Sequence, residues 1–272
     1  MTGAEVRVDD AERLMKAAAE VARVAGAVAL GYFRRVPEVE TKADGSPVTI
    51  ADRSAERAVR RWLELRFPAD GVHGEEFGVT RPDAARRWFI DPIDGTRTFV
   101  RGVPLWGTLV AVAEGATVLA GAAWFPALDE MLAAGIGCGA WHNDSRCRVS
   151  SVAELDQAAV LVTDDRFPDS PSRRDGWRAL ALRAGMARTW GDCYGYLLVA
   201  TGRAEVMIDD RVGPWDTAAL YPAIVEAGGV FTDWEGQATP FGSGVIVSNA
   251  ALARPARALL MGDSAPAIAP RG

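Results

Sequence analysis

The chain has 272 residues, of which 49% are hydrophobic and 24% charged, which is typical of a globular protein with a large core. Its formal net charge of −6 argues against binding to nucleic acid or to an anionic membrane, since both favour a basic stripe. The start, MTGAEVRVDD, does not have the pattern of a signal peptide, and no apolar run is long enough to span a bilayer. The three cysteines form no CxxC pair and the two histidines are too few for a histidine-rich zinc site, so we expect a cytoplasmic protein.

The first part of the chain, residues 1–145, is predicted to be an α+β half. Apolar residues at helical spacing predict helices over 10–35 and 50–67, separated by the polar loop KADGSPVT. The second helix carries arginines together with Glu56 and Glu64, and we interpret this side as a solvated face. Short strands are predicted before GEEFG and over 88–90, followed by two adjacent strands that turn near Glu114 and by a glycine-rich hairpin.

The second part, residues 146–272, is predicted to be an α/β half that packs with the first as one compact unit. We predict strands over 159–163, 187–190, 205–208 and 245–248 and helices over 173–184, 194–201, 216–227 and 250–261. The acidic motifs described next lie where the two halves would join.

The stretch WFIDPIDGT places two carboxylates, Asp91 and Asp94, directly after a predicted buried strand. Buried carboxylates three residues apart repel each other and therefore need a counter-charge. Gly95 allows a tight turn as a helix begins, and amides at a helix start bind phosphate oxygens. An Asp-Pro turn followed by a capping aspartate is the ordinary explanation of this motif alone. Carboxylates for a metal beside amides for a phosphate are what metal-assisted phosphoryl transfer requires.

Three further acidic motifs also have ordinary explanations when each is taken alone. Glu75, in GEEFG, fits a solvated turn, and Asp216, in GPWDTAAL, fits the N-cap of a helix. Asp52, in TIADRSAE, fits a capping box with Thr49. Capping and metal binding are compatible, because a carboxylate has several lone pairs.

GEEFG, WFIDPIDGTRTF and PWDTAALYPAIVEAGG occur in this order, and together they resemble the inositol monophosphatase family of magnesium-dependent, lithium-sensitive phosphatases. The resemblance covers nearly the whole chain, from the first predicted helix to the last. It implies a mixed α+β and α/β fold, a layered αβαβα sandwich. It also implies a homodimer, two or three Mg²⁺ ions per site, possible replacement by Mn²⁺, and inhibition by Li⁺.

The resemblance implies roles for residues that match the family's motifs. Glu75 resembles a ligand of the first metal, and Asp91 resembles the carboxylate that bridges two metals. The backbone carbonyl of Ile93 resembles a further ligand, and Asp94 and Asp216 resemble ligands of the second metal. Oxygen ligands without histidine or thiolate suit Mg²⁺ better than Zn²⁺.

The same resemblance implies the catalytic residues. Thr96 and Asp52 resemble the pair that positions and deprotonates the attacking water, and the amides of Gly95 and Thr96 would hold the phosphate. Whether Asp44 helps to hold a third metal is open.

Two stretches, TWGDCYGYLLVATG and RTFVRGVPLWGTL, resemble the histidinol-phosphate phosphatase branch, whereas the inositol branch tends to have small residues where Asp192 and Cys193 stand. Asp209 lies seven residues before Asp216, where the family has an acid that contacts the polar end of the substrate. Asp192 and Asp209 could pair with the ammonium and imidazole of histidinol phosphate, while Cys193 would pack in or near that pocket. Otherwise Asp192 is explained as a helix cap and Asp209 as part of a turn with Asp210.

The resemblance therefore predicts a hydrolase of a small phosphorylated metabolite, histidinol phosphate, in histidine biosynthesis. The alternatives are an inositol-1-monophosphatase, another small phosphomonoesterase of the family, or a metabolite-binding protein without turnover. A non-catalytic protein should have lost a metal ligand or the pair Thr96 and Asp52, and this chain keeps them all. A 3′-phosphoadenosine phosphatase or a fructose bisphosphatase would need a basic cluster, and none is clear in the sequence.

Overall fold

The computed structural model describes residues 8–35, 39–41, 47–262 and 268. Its helices are α1 Val8–Tyr32, α2 Ile50–Arg66, α3 Thr96–Val100, α4 Pro171–Arg183, α5 Asp192–Ala200, α6 Pro214–Thr217, α7 Leu220–Glu226 and α8 Ala253–Met261. Its strands are β1 Glu40–Thr41, β2 Pro47–Val48, β3 Gly71–Gly74, β4 Gly78–Thr80, β5 Arg86–Asp94, β6 Gly107–Glu114, β7 Thr117–Phe125, β8 Glu130–Gly135, β9 Gly139–His142, β10 Ser145–Arg146, β11 Ala159–Val162, β12 Met186–Arg188, β13 Val206–Asp209, β14 Val230–Thr232 and β15 Val245–Ser248. A 3₁₀ turn covers Leu155–Gln157. Of the helices in these ranges, none has the length and apolar character needed to cross a membrane.

Two large sheets form the framework of the described residues. The first has the strand order β10-β9-β8-β7-β6-β5-β3-β4, and its strands are antiparallel except for the parallel pair β3 and β5. The second has the order β12-β11-β13-β15-β14, in which β11 runs parallel to β12 and β13. Its other two pairs are antiparallel. β1 and β2 form a separate two-stranded sheet.

Helices cover both sheets in layers. α1 and α2 bury their apolar faces on one side of the first sheet. α5 and α7 fill the space between the two sheets, and α4 and α8 cover the outer side of the second. The order of layers is α, β, α, β, α, which confirms the predicted mixed sandwich.

The first two helices lie close to their predicted positions because their apolar spacing is strong. In α1, Leu14, Ala18, Val21 and Ala25 recur at helical intervals and are fully buried. In α2, the predicted capping box is present, since Thr49 and Asp52 satisfy each other's backbone groups.

The single helix predicted over 216–227 is wrong, because the chain forms α6 and α7 instead. Pro222 has no N–H, so the carbonyl of Ala218 has no helical donor four residues later. The break comes at Ala218 and Ala219, and Pro222 then lies in the first turn of α7, where a proline is tolerated.

One strand is longer than predicted, and another was not predicted. The strand predicted over 88–90 is the longer β5, which extends through both aspartates of the DPID motif. β14 was not predicted, because it has three residues after two glycines and is too short to show alternation. It pairs with β15 at the edge of the second sheet.

Gly121 in β7 allows the close approach of the chain between α6 and α7. A Cβ atom at Gly121 would lie 2.3 Å from the carbonyl oxygen of Ala219. We expect Gly121→Ala to lower the free energy of unfolding by about 1–3 kcal/mol, because backbone must move to relieve the overlap. Gly31→Ala in α1 is the control, since nothing lies within 4 Å of its Cβ position. We expect this control to raise stability by up to about 1 kcal/mol, and chemical denaturation that shows equal changes in both variants would contradict the close packing.

Candidate active site

A bulge in β5 brings Asp91 and Asp94 to the same side of the first sheet. Asp91 pairs with Leu109 of β6 and Asp94 pairs with Gly107. Residues 91–94 of β5 therefore lie opposite residues 107–109 of β6, so β5 has one extra residue here. In a regular strand, residues three apart face opposite sides, and the extra residue of the bulge corrects this. The Ile93 N–H donates to Asp91 Oδ1 at 2.9 Å and so fixes the turn within the bulge.

Asp216 adds a third carboxylate from α6. Its Oδ2 accepts the N–H of Gly213 at 2.6 Å, so Asp216 closes the start of its helix and also belongs to the cluster. Carboxylate oxygens of Asp91, Asp94 and Asp216 lie within 4.8 Å of one another. Glu75 is not in this tight group, but it lines the same cavity and its charge acts on Asp91.

The cluster is electrostatically unfavourable as three bare anions. Burial, followed by the charges of Glu75, Asp94 and Asp216, raises the pKa of Asp91 well above its usual value. Burial, followed by the charges of Asp192 and Asp216, does the same to the pKa of Asp94. Hydrogen bonds from Cys193 oppose the rise only for Asp94, and the other causes besides burial are neighbouring acids, so the ionised cluster requires a cation. The atoms of the cluster that could hold a metal are all carboxylate oxygens, which fit a hard divalent cation.

Asp52 and Thr96, the predicted catalytic pair, are neighbours. Asp52 is fully buried, and its Oδ2 accepts the N–H of Thr49 at 2.8 Å and the hydroxyl of Thr49 at 2.6 Å. Its other oxygen, Oδ1, lies 3.5 Å from Thr96 Oγ1. The Thr96 hydroxyl donates to the carbonyl of Ile93 at 2.8 Å. Burial is the largest cause that raises the pKa of Asp52.

Glu56 was predicted to lie on a solvated face of α2, and this is wrong. It is fully buried one turn after Asp52, and it accepts the N–H of Glu76 at 2.8 Å and that of Phe77 at 3.3 Å. Arg60 pairs with it at 2.7 Å and neutralises its charge. Glu56 therefore holds the GEEFG loop that carries Glu75, and composition gave no sign of this role.

The start of α5 lies against the start of α3. A Cβ atom on Gly95, whose φ is 83°, would lie 3.1 Å from Asp192 Oδ2. The helix begins at Asp192 with Gly191 as its N-cap, so the explanation of Asp192 as a cap is wrong. Its carboxylate instead accepts the hydroxyl of Thr98 at 3.1 Å, and burial raises its pKa. The backbone of Asp192 adopts a φ of 49°, which is uncommon for a residue with a side chain.

Cys193 and Asp209 lie beside the cluster, Cys193 packed next to Asp94 and Asp209 in the wall of the cavity. The Cys193 thiol is fully buried, and its backbone N–H donates to Asp94 Oδ2 at 2.5 Å. Asp209 is the last residue of β13, so the explanation of it as part of a turn is wrong. Its Oδ2 accepts the hydroxyl of Tyr196 at 2.6 Å. Burial raises the pKa of Asp209 to about 7, against the opposing effect of hydrogen bonds from Thr163 and Tyr196.

These groups surround one cavity of about 160 Å³. Of the predicted site residues, all except Asp52 and Cys193 line it. Residues that sequence reasoning missed also line it, namely Thr163, Tyr196, Arg211 and Val212. They carry no motif, and only the folded chain shows that strand ends and loops bring them together. Asp44 lies outside the described residues.

Comparison with known proteins agrees with this geometry. The family model for the inositol monophosphatase family matches residues 10–263. A histidinol-phosphatase of Chlorobaculum parvum is 44% identical over 243 residues, which cover 88% of this chain and 93% of that protein. A histidinol-phosphatase of Mycobacterium tuberculosis is 39% identical over 219 residues, which cover 79% and 84%. The solved structure of the extragenic suppressor protein suhB from Bartonella henselae aligns with a TM-score of 0.85 at 27% identity, covering 92% of this chain and 99% of that one.

The fold, the acidic cavity and these relatives define a phosphatase, an enzyme that hydrolyses phosphoric monoesters. The chain belongs to the inositol monophosphatase family. That family is metal-dependent, and Asp91, Asp94 and Asp216 form the candidate metal centre.

Replacing Asp91 tests this centre. We expect added Mg²⁺ to raise the melting temperature of the wild type, and we expect Asp91→Asn to remove this rise and to abolish turnover, because one proposed ligand is lost. In the metal-free protein at neutral pH, the substitution should raise the melting temperature. Since the pKa of Asp91 is raised by folding, its ionised form opposes the folded state above the unfolded pKa, and asparagine removes that charge.

Asp83→Asn is the control, because Asp83 is an exposed acid outside the cavity. Thermal unfolding with EDTA and with Mg²⁺ measures both effects. If Asp91→Asn keeps the Mg²⁺-dependent rise of the wild type, Asp91 is not a metal ligand.

Proposed function

We propose that the enzyme is a Mg²⁺-dependent histidinol-phosphatase, which converts L-histidinol phosphate and water to L-histidinol and phosphate. The observation that carries the proposal is a second pair of acids, the half-buried Asp192 and the buried Asp209, in the cavity but outside the three-carboxylate cluster. The names of the relatives from Chlorobaculum parvum and Mycobacterium tuberculosis support the same substrate.

The substrate's chemistry matches this second pair. Histidinol phosphate has an ammonium and an imidazole in addition to its phosphate, and a carboxylate binds such donors through charge-assisted hydrogen bonds. Asp192 lies beside Gly95, so an acid for the cationic end adjoins the amides proposed for the phosphate. Inositol phosphate offers only hydroxyls to these acids.

The protein's own groups would orient the reaction as follows. The amides of Gly95 and Thr96 would bind phosphate oxygens, and Thr96 Oγ1 would orient the attacking water in line with the scissile bond. The water's proton would pass toward Thr96, whose own hydroxyl proton can move to the nearby Asp52 Oδ1. When bound at the acidic cluster, Mg²⁺ would supply positive charge that stabilises the transferring phosphoryl group and lowers the pKa of the water.

The first experiment measures phosphate release from L-histidinol phosphate and from myo-inositol 1-phosphate, with Mg²⁺ and with EDTA. We expect activity only with Mg²⁺ and a kcat/KM at least about tenfold higher for histidinol phosphate, because one charge-assisted hydrogen bond contributes about that factor. Such a result would support a role in histidine biosynthesis. A preference for inositol phosphate would keep the phosphatase chemistry and refute the proposed substrate.

Replacing Asp192 tests its part in specificity. We expect Asp192→Asn to lower kcat/KM for histidinol phosphate about tenfold more than kcat/KM for p-nitrophenyl phosphate, which has no cationic group. Asp156→Asn is the matched control, because Asp156 is an exposed acid outside the cavity. Equal losses on both esters would remove Asp192 from the specificity argument.

A further inference from the structure

Thr163 connects the two acids that the proposed function assigns to the substrate. It directly follows β11, whose last residue, Val162, pairs with Ile208 of the parallel strand β13. Thr163 therefore stands beside Asp209 at the same edge of the second sheet. Its side chain lines the cavity together with Asp192 and Asp209.

The hydroxyl of Thr163 lies between the first residue of α5 and the last residue of β13. It accepts the backbone N–H of Asp192 at 2.8 Å. A hydroxyl has one proton, and acceptance at the oxygen leaves that proton free for donation. The strand register places Asp209 at the next position on β13, beside this hydroxyl, and hydrogen bonding by Thr163 is among the causes that lower the pKa of the Asp209 carboxyl. One side chain thus joins the first residue of α5 to the last residue of β13.

The contact between these segments is set by the backbone. A Cβ atom at Gly191 would lie 2.3 Å from Thr163 Cα and 2.5 Å from Thr163 Oγ1, so the two segments of the chain are in direct contact at this glycine. Because residue 191 precedes Asp192, the approach also fixes where α5 starts. Thr163 and Asp192 therefore cannot separate without moving a helix.

Each acid has a second hydrogen bond that restrains it. Thr98 donates to Asp192 Oδ2 at 3.1 Å, and Tyr196 donates to Asp209 Oδ2 at 2.6 Å. Thr163 holds the backbone of Asp192 next to the end of β13, so each carboxylate starts from a fixed position and is restrained by its own donor. A site fixed in this way loses little conformational freedom when a ligand binds.

We propose that Thr163 is a positioning residue that holds Asp192 and Asp209 at the spacing required for a phosphate ester with two cationic or donor groups. The inference rests on the proposed function and deepens it. Thr163 acts through the two acids, and it has no part in the attack on phosphorus.

Two variants that differ by one oxygen atom test the proposal. Thr163→Ser and Thr163→Ala both lose the methyl group, but only Thr163→Ser keeps the hydroxyl. The full-length enzyme with Mg²⁺ is assayed with L-histidinol phosphate and with p-nitrophenyl phosphate, and kcat and KM are determined separately. Melting temperatures of both variants show whether each one folds.

We expect Thr163→Ala to lower the ratio of kcat/KM for histidinol phosphate to that for p-nitrophenyl phosphate about tenfold, mainly through KM, because the hydroxyl that fixes the start of α5 beside Asp209 is lost. Thr163→Ser should keep this ratio within about twofold. If Thr163→Ala does not fold, Thr163→Val preserves the volume and removes the hydroxyl.

Several outcomes would overturn the proposal. Equal losses on both esters in Thr163→Ala would show a structural role only. A loss of the ratio in Thr163→Ser as large as in Thr163→Ala would show that the hydroxyl is not responsible. A wild type without preference for histidinol phosphate would refute the proposed function and with it this role of Thr163. A wild-type preference that Thr163→Ala retains would refute the role of Thr163 alone.

Discussion

Repulsion between three crowded carboxylates, one buried and two half-buried, is the constraint on which the rest of this structure depends. Asp91, Asp94 and Asp216 crowd their oxygens into a space where each raises the cost of ionising the others. Water cannot screen them well there, so only hydrogen-bond donors and a cation can stabilise them. The chain supplies N–H donors from Ile93, Cys193 and Gly213, and these fix the oxygens without removing the need for positive charge.

Several groups around the cavity lie at the ends of secondary-structure elements. β5 ends at Asp94, α3 starts at Thr96, α5 starts at Asp192, and β13 ends at Asp209. Element ends are where backbone N–H groups are free of regular pairing and can hold anions. The layers place these ends around one cavity. The interior of each layer contributes hydrophobic packing. If Asp192 and Asp209 select the substrate as proposed, specificity can change through them while the three-carboxylate cluster stays the same.

Much of the architecture could be predicted from the sequence because the long elements have strong apolar periodicity. The acids Asp91, Asp94 and Asp216, which the structure brings together, could be singled out in the sequence because they lie in local motifs with glycine or proline nearby. Glu56 could not be found in this way, since a glutamate with arginines on a helix usually faces solvent, and only tertiary packing shows that it holds the GEEFG loop. Thr163 and Tyr196 were missed for a related reason, because their partners are distant in sequence or give no local pattern.

The bonds that complete the cavity also bear on how the chain folds. Cys193 and Asp94 are 99 residues apart in sequence, and Asp192 and Thr98 are 94 apart. Contacts of such separation require closure of long loops and form slowly relative to local helices and hairpins. A nascent chain that has built only the first sheet has Asp91 and Asp94, but it lacks Asp216 and the amide of Cys193. The complete cation site therefore arises late in folding, after both sheets have met, and an immature chain has little means of capturing metal or substrate.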